Sequence, residues 1–187
     1  MFQAIQIVYW LALSVWFGAL FFVVVAAPIV FRTVRDADPT LPKVLSVNLE
    51  GQHSTLLAGT IMGDLLHVLI RVQLACAAAL LLIVILQWFK TDIANVLPPI
   101  LRSAAYVAAA ALLIYYWRVV GPRALKYRQE YLDNADNPDV ANPALDQFDR
   151  YTREGDTVLL ILLALVLFMI LFSADIRPNA ISFSITR

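Results

Sequence analysis

Four uninterrupted apolar runs, Gln6 to Phe31, Val68 to Phe89, Pro99 to Trp117 and Thr157 to Ala174, constrain this 187-residue chain more than any other feature. Each is 18 to 26 residues long, and a bilayer core about 30 Å thick needs about 20 residues of helix at about 1.5 Å per residue. In lipid an unpaired backbone N–H or C=O has no water to bind, so a spanning segment must be a helix or a strand of a closed barrel. These runs are continuous rather than alternating in polarity, which selects helices. The expected fold is all-α: a polytopic membrane protein, one integral membrane domain over residues 1–187, built as a four-transmembrane-helix antiparallel bundle with a small cytoplasmic helical hairpin. With flanking residues included, the spans are expected at about 6–31, 59–89, 99–120 and 155–174, and the hairpin at about 121–156.

Charge placement orients this arrangement. Arg32, Arg35, Lys43, Arg118, Arg123, Lys126, Arg128, Arg150 and Arg153 fall in the two connections on one side, against Lys90, Arg102, Arg177 and Arg187 on the other. Nine against four puts the richer side in the cytoplasm and both termini outside, as expected for a bacterial inner membrane. Tyr115, Tyr116 and Trp117 at one boundary and Trp88 and Phe89 at the other form the aromatic belts. The first run lacks a basic leader and a small-residue cleavage site, so it reads as a retained helix rather than a cleaved signal. One cysteine, Cys76, allows no intramolecular disulfide and no cysteine metal cluster.

The connections differ in kind. Thr33 to about Thr55 carries Asp38-Pro39 and Leu41-Pro42, which predict a loop with at most a short helix. Thr91 to Pro98 is tight, so the second and third helices are expected to be antiparallel neighbours facing each other through Ala75 to Ala79 and Ala104 to Ala111. In the hairpin, Pro122 opens a helix through Leu132, the polar stretch Asp133 to Asp139 turns the chain, and an amphipathic helix follows Asn142-Pro143, with Leu145, Phe148, Tyr151 and Thr152 at helical spacing.

Few polar positions remain to carry chemistry. Asp64, His67 and Arg71 stand at i, i+3 and i+7 on one helix face, an intramembrane polar cluster that reads as a structural ion pair near the headgroups, a ligand or ion site, or a proton relay. His67 is also the candidate single ligand for a haem or chlorin; a self-contained bis-histidine site would have to draw on His53 in the preceding loop. The acidic turn lacks the glycine and closing glutamate of a calcium loop. No nucleophile–base pair, phosphate loop or carboxylate dyad has a credible scaffold, so no enzyme, resident cofactor or metal is expected. Basic residues interleaved with acids argue for lipid contact rather than nucleic acid. Gly18, Pro28, Gly59 and Gly63 read as helix-packing positions: Gly18 for a close crossing, Pro28 as a kink or end of the first helix, and Gly59 with Gly63 as a small-xxx-small face.

Trp16-Phe17-Gly18-Ala19 and Ala27-Pro28-Ile29-Val30-Phe31 in the first helix, Ala58-Gly59-Thr60-Ile61-Met62-Gly63 in the second and Phe148-Asp149-Arg150-Tyr151 before the fourth resemble a four-helix membrane family of unknown function related to eukaryotic transmembrane protein 205. Thr152 and Gly155 stand where that family tends to carry a histidine and a serine. The Trp-Phe-Gly-Ala stretch is also similar to the copper-resistance D and four-helix protoporphyrinogen oxidase families, which tend to rely on membrane histidines that the first helix here lacks. The resemblance implies the same fold and topology and, for the eukaryotic relatives, an association with drug resistance or trafficking.

The expected function is that of a non-catalytic accessory or structural subunit of a larger membrane complex, with membrane lipid and other subunits or a second copy as partners. A small-solute or metal transport or resistance protein is the alternative, and a haem- or pigment-associated membrane subunit the second alternative.

Overall fold

The computed structural model describes residues 2–37, 53–88, 97–134 and 136–173, and all of them are helix apart from one short turn. The helices are α1 (Phe2–Ala37), α2 (His53–Trp88), α3 (Leu97–Tyr115), α4 (Gly121–Asp133) and α5 (Pro138–Ser173), and a π-helical segment, Tyr116–Val120, joins α3 to α4 without a break. Four helical rods are long and apolar enough to cross a membrane: Ile5–Ala37, Leu57–Leu86, Ile100–Asp133 and Pro138–Ser173. This is an all-helical chain of membrane-spanning character. The predicted loop between 38 and 52, the tight connection at 89–96, the outer aromatic Phe89 and the residues after 173 lie outside the described residues.

The rods are longer than the apolar runs that nucleate them. At about 1.5 Å per residue, the 36 residues of α1, α2 or α5 reach about 54 Å, well beyond a hydrocarbon layer of about 30 Å. Pro28 does not end α1, contrary to one of the two readings above; it lies on the exposed face inside the helix, which continues to Ala37. Arg32 and Asp36, paired at i,i+4 across 3.8 Å, extend the helix into the stretch expected to be loop. Likewise α2 begins at His53, and α5 begins at Pro138 rather than after Pro143, which stands inside the helix. Pro138 suits a first helical turn because its missing N–H would have no partner there, and Asp139 favours the positive end of the helix dipole.

The α4–α5 reversal is closed by capping. The Asn134 side chain donates to the Glu130 carbonyl at 2.8 Å, covering a carbonyl at the end of α4. The Asn137 N–H then meets the Asn134 carbonyl at 2.8 Å, and the Asn137 carbonyl accepts from Val140 and Ala141 at 3.1 and 2.9 Å to open α5. Tyr131, Ala141 and Ala144 pack together beneath this turn as a small core of their own.

The main core draws on every rod. Leu13, Trp16 and Leu20 of α1, Leu80 of α2, Ala109 and Leu113 of α3, and Leu162 and Val166 of α5 are each no more than 1% exposed. Their opposite faces are also apolar: Ile7, Leu11, Leu82, Val107 and Leu160 point outward, the pattern of a helix that meets lipid rather than water. Close neighbours are α1 with α2, and α5 with both α3 and α4. By contrast α2 and α3 touch little, so their alanine tracts do not form the facing surfaces expected. Ala75, Ala78, Ala104 and Ala108 are exposed. The bond that does join the two helices runs from the Tyr106 hydroxyl to the Ala77 carbonyl at 2.7 Å. At one end of the molecule the Tyr9 hydroxyl lies 2.6 Å from the Ser173 hydroxyl, and the Arg102 guanidinium sits 5.4 Å from the centre of the Tyr9 ring. That end, formed by the starts of α1 and α3 and the finish of α5, is tied shut.

Candidate ligand cleft

At the opposite end the α1–α2 pair and the α4–α5 pair part around a cavity of about 550 Å³. Its size falls within the roughly 300–1,000 Å³ of small-molecule sites. Val23, Ala27 and Phe31 of α1 and Gly59, Met62, Gly63, Leu66, His67 and Ile70 of α2 form one wall. The other wall comes from Tyr116, Trp117 and Val120 of the π segment, Pro122, Leu125 and Arg128 of α4, and Phe148, Tyr151, Thr152, Asp156 and Leu159 of α5. Carbon dominates the lining, and the polar groups are few.

Two sequence features shape this cavity. The π segment precedes Pro122, which has no N–H to give to the helical ladder; the Gly121 N–H instead bonds the Tyr116 carbonyl in a wider turn. Widening the turn brings Tyr116, Trp117 and Val120 to the cleft. Gly155 on α5 accepts the bulge: a Cβ there would stand 3.1 Å from Tyr116 Cε2 and 3.4 Å from Val120 Cγ1. On the other wall the glycines do the reverse. A Cβ at Gly59 or Gly63 would meet nothing within 4 Å, so these positions hold space open rather than bring helices together. Gly18 also faces nothing within 4 Å, so among the described residues the packing role expected of all three has no partner.

Side-chain bonds brace the polar rim. Arg128 donates to the Thr60 hydroxyl, linking the two walls. The Arg123 guanidinium donates to the Tyr151 hydroxyl at 3.0 Å, and Tyr151 stacks on Tyr127 with 5.7 Å between ring centres. Tyr115 donates to the Glu154 carboxylate, and Arg118 lies over the Trp117 ring at 4.4 Å.

The predicted Asp64–His67–Arg71 cluster is split. Arg71 Nη2 lies 2.9 Å from His67 Nε2. Arginine carries only donors, so in this contact the imidazole nitrogen is the acceptor. His67 and Asp64 are both exposed, but His67 lines the cleft whereas Asp64 lies outside the lining and in no ion pair among the described residues. The reason is spacing: Arg71 reaches back four residues to His67, while Asp64 is seven residues and about 10 Å of helix rise away. Among the described residues no group of three or more His, Cys, Asp or Glu gathers to hold a metal ion.

Asp156, Gly155, Tyr151 and Arg128 were not singled out as site residues from the sequence, and Tyr116 and Trp117 were read only as belt aromatics. A glycine and an aspartate where α5 turns apolar are the one local signal that could have marked this place. No family model, curated protein or solved structure matches the chain.

Proposed function

We propose that this chain is a non-catalytic integral membrane protein that binds an apolar or amphiphilic small molecule between its two helix pairs, as a transport or resistance protein does. The observation that carries the reading is the 550 Å³ cleft kept open by Gly59 and Gly63, whose missing side chains leave space that an ordinary bundle core would fill. Around it, the proposed architecture is an antiparallel four-helix bundle with α4 and the first half of α5 as a cytoplasmic hairpin and both termini outside a bacterial inner membrane. Nine cationic residues on the hairpin side against four on the other support that orientation. The meeting of the first turns of α1 with the last residue of α5, at Tyr9 and Ser173, supports alternating helix directions.

The relation to the family of transmembrane protein 205 is part of the same proposal, resting on the short motifs quoted above. The accessory-subunit reading keeps one specific support. Gly18 is exposed on α1, and a Cβ there would meet nothing within 4 Å among the described residues, a place where a helix of another subunit or of a second copy could approach closely. A haem or pigment role would rest on His67 alone, which lines the cleft.

A neutral apolar probe tests the binding reading. Triphenylphosphine oxide should bind the full chain saturably in phosphatidylcholine nanodiscs, after subtraction of empty discs, and Gly63→Leu should abolish that binding. Equal binding to both proteins, or none to either, would overturn the cleft as a site. If the chain leaves its host membranes only with stoichiometric subunits and binds no probe, the accessory reading takes its place.

A further inference from the structure

Resting on the cleft as a binding site, we infer that its occupant is a lipophilic organic cation, seated with its charge against Asp156 and its apolar body among the aromatic rings of Tyr116, Trp117 and Tyr151.

The sign of the charge follows from how the chargeable groups of the lining are engaged. His67 Nε2 faces the Arg71 guanidinium at 2.9 Å. Arg128 is held to the neutral Thr60 hydroxyl and keeps its positive charge. Asp156 is the remaining chargeable group of the lining, and among the described residues it enters no hydrogen bond or ion pair. Asp156, exposed where α5 passes from its polar to its apolar half, borders the cleft and offers its carboxylate to a cation whose apolar body sits among the lining residues.

Asp156 lies eight residues, about 12 Å of helix rise, along α5 from Phe148, and its side chain is exposed. It is the one acidic group of the lining, which also holds the cationic Arg128. The rings add to it, since an aromatic face is the negative side of its quadrupole and attracts cations within about 6 Å. Trp117 and Tyr151 already hold arginines this way, Arg118 at 4.4 Å and Arg123 at 5.6 Å from the ring centres. At 550 Å³ the cleft suits a cation of drug size carrying aryl or alkyl groups rather than a bare metal ion.

Two probes of the same shape and opposite charge provide the test: tetraphenylphosphonium and tetraphenylborate, titrated onto the full chain in phosphatidylcholine nanodiscs with empty discs subtracted. Tetraphenylphosphonium should bind saturably and more tightly than tetraphenylborate, and Asp156→Asn should weaken it by up to about fivefold, the usual worth of an exposed charge pair. The same variant should bind neutral triphenylphosphine oxide as the parent does, which shows that it is folded and the cleft intact. Tetraphenylborate binding as well as or better than tetraphenylphosphonium would overturn the charge assignment, as would an unchanged affinity in Asp156→Asn. In either case retained binding of the neutral probe leaves the cleft standing, whereas its loss in the parent removes the cleft as well.

Discussion

Two glycines in one cleft should respond in opposite directions to the same added methyl group. Gly63→Ala and Gly155→Ala both replace a helical glycine, a gain of about 1 kcal/mol on the aqueous propensity scale. At Gly63 the new Cβ meets nothing within 4 Å, so the gain should survive as added stability of roughly 1 kcal/mol. At Gly155 the Cβ would come 3.1 Å from Tyr116 Cε2 and 3.4 Å from Val120 Cγ1. Tyr116 is 7% exposed and Val120 1%, so neither can move far. Overpacking of this kind costs about 1–3 kcal/mol, which leaves Gly155→Ala between neutral and about 2 kcal/mol less stable than the parent. The propensity gain is common to both, so the difference between the variants isolates the packing and should be about 1–3 kcal/mol. Titration with sodium dodecyl sulfate from a mild detergent, followed by tryptophan fluorescence and circular dichroism, measures each midpoint. A Gly155→Ala midpoint equal to or above that of Gly63→Ala would refute the claim that the π segment is seated in Gly155 while Gly63 faces open space.

Further tests concern single polar groups. Gln73 is fully buried with both amide atoms unpartnered among the described residues, so Gln73→Leu should raise the same midpoint by about 1–3 kcal/mol, and a lower midpoint would mean that the amide is bonded within the membrane. Asp64→Ala should leave stability unchanged, and Arg71→Ala should cost no more than about 1 kcal/mol, since its bond to His67 is exposed; a larger loss for Asp64→Ala would restore the ion-pair reading. A periplasmic reporter such as alkaline phosphatase fused after Arg187 should be active and a cytoplasmic reporter at Asp136 functional, while the reverse pattern would invert the proposed topology.

The spans were legible in the sequence because they depend on local composition alone: a continuous apolar run has one low-energy form in lipid. The turn at Asn134 to Asn137 was legible too, through Asn, Asp and Pro in succession. Boundaries were less so, because Pro28 read as a kink or end and Pro143 as the point after which a helix starts, and both sit inside helices whose neighbours remain favourable. The cleft could not be read, since it depends on how far apart two helix pairs stand. Gly59 and Gly63 at i,i+4 are the usual pattern of a tight crossing, and only the position of the opposing helix decides between contact and open space. Asp64, His67 and Arg71 were correctly placed on one helix, yet bonding geometry rather than spacing chose His67 for Arg71 and left Asp64 aside.

Cysteine protection tests the central claim, that small molecules enter between the two helix pairs, most directly. In a Cys76→Ala background, a thiol at Gly63→Cys should react with a membrane-permeant methanethiosulfonate and be shielded by triphenylphosphine oxide. A thiol at the outward-facing Val107, which is 64% exposed, should react at a rate the probe leaves unchanged. Shielding at position 63 alone is the result the account predicts. No reaction there, or equal effects at both positions, would contradict it.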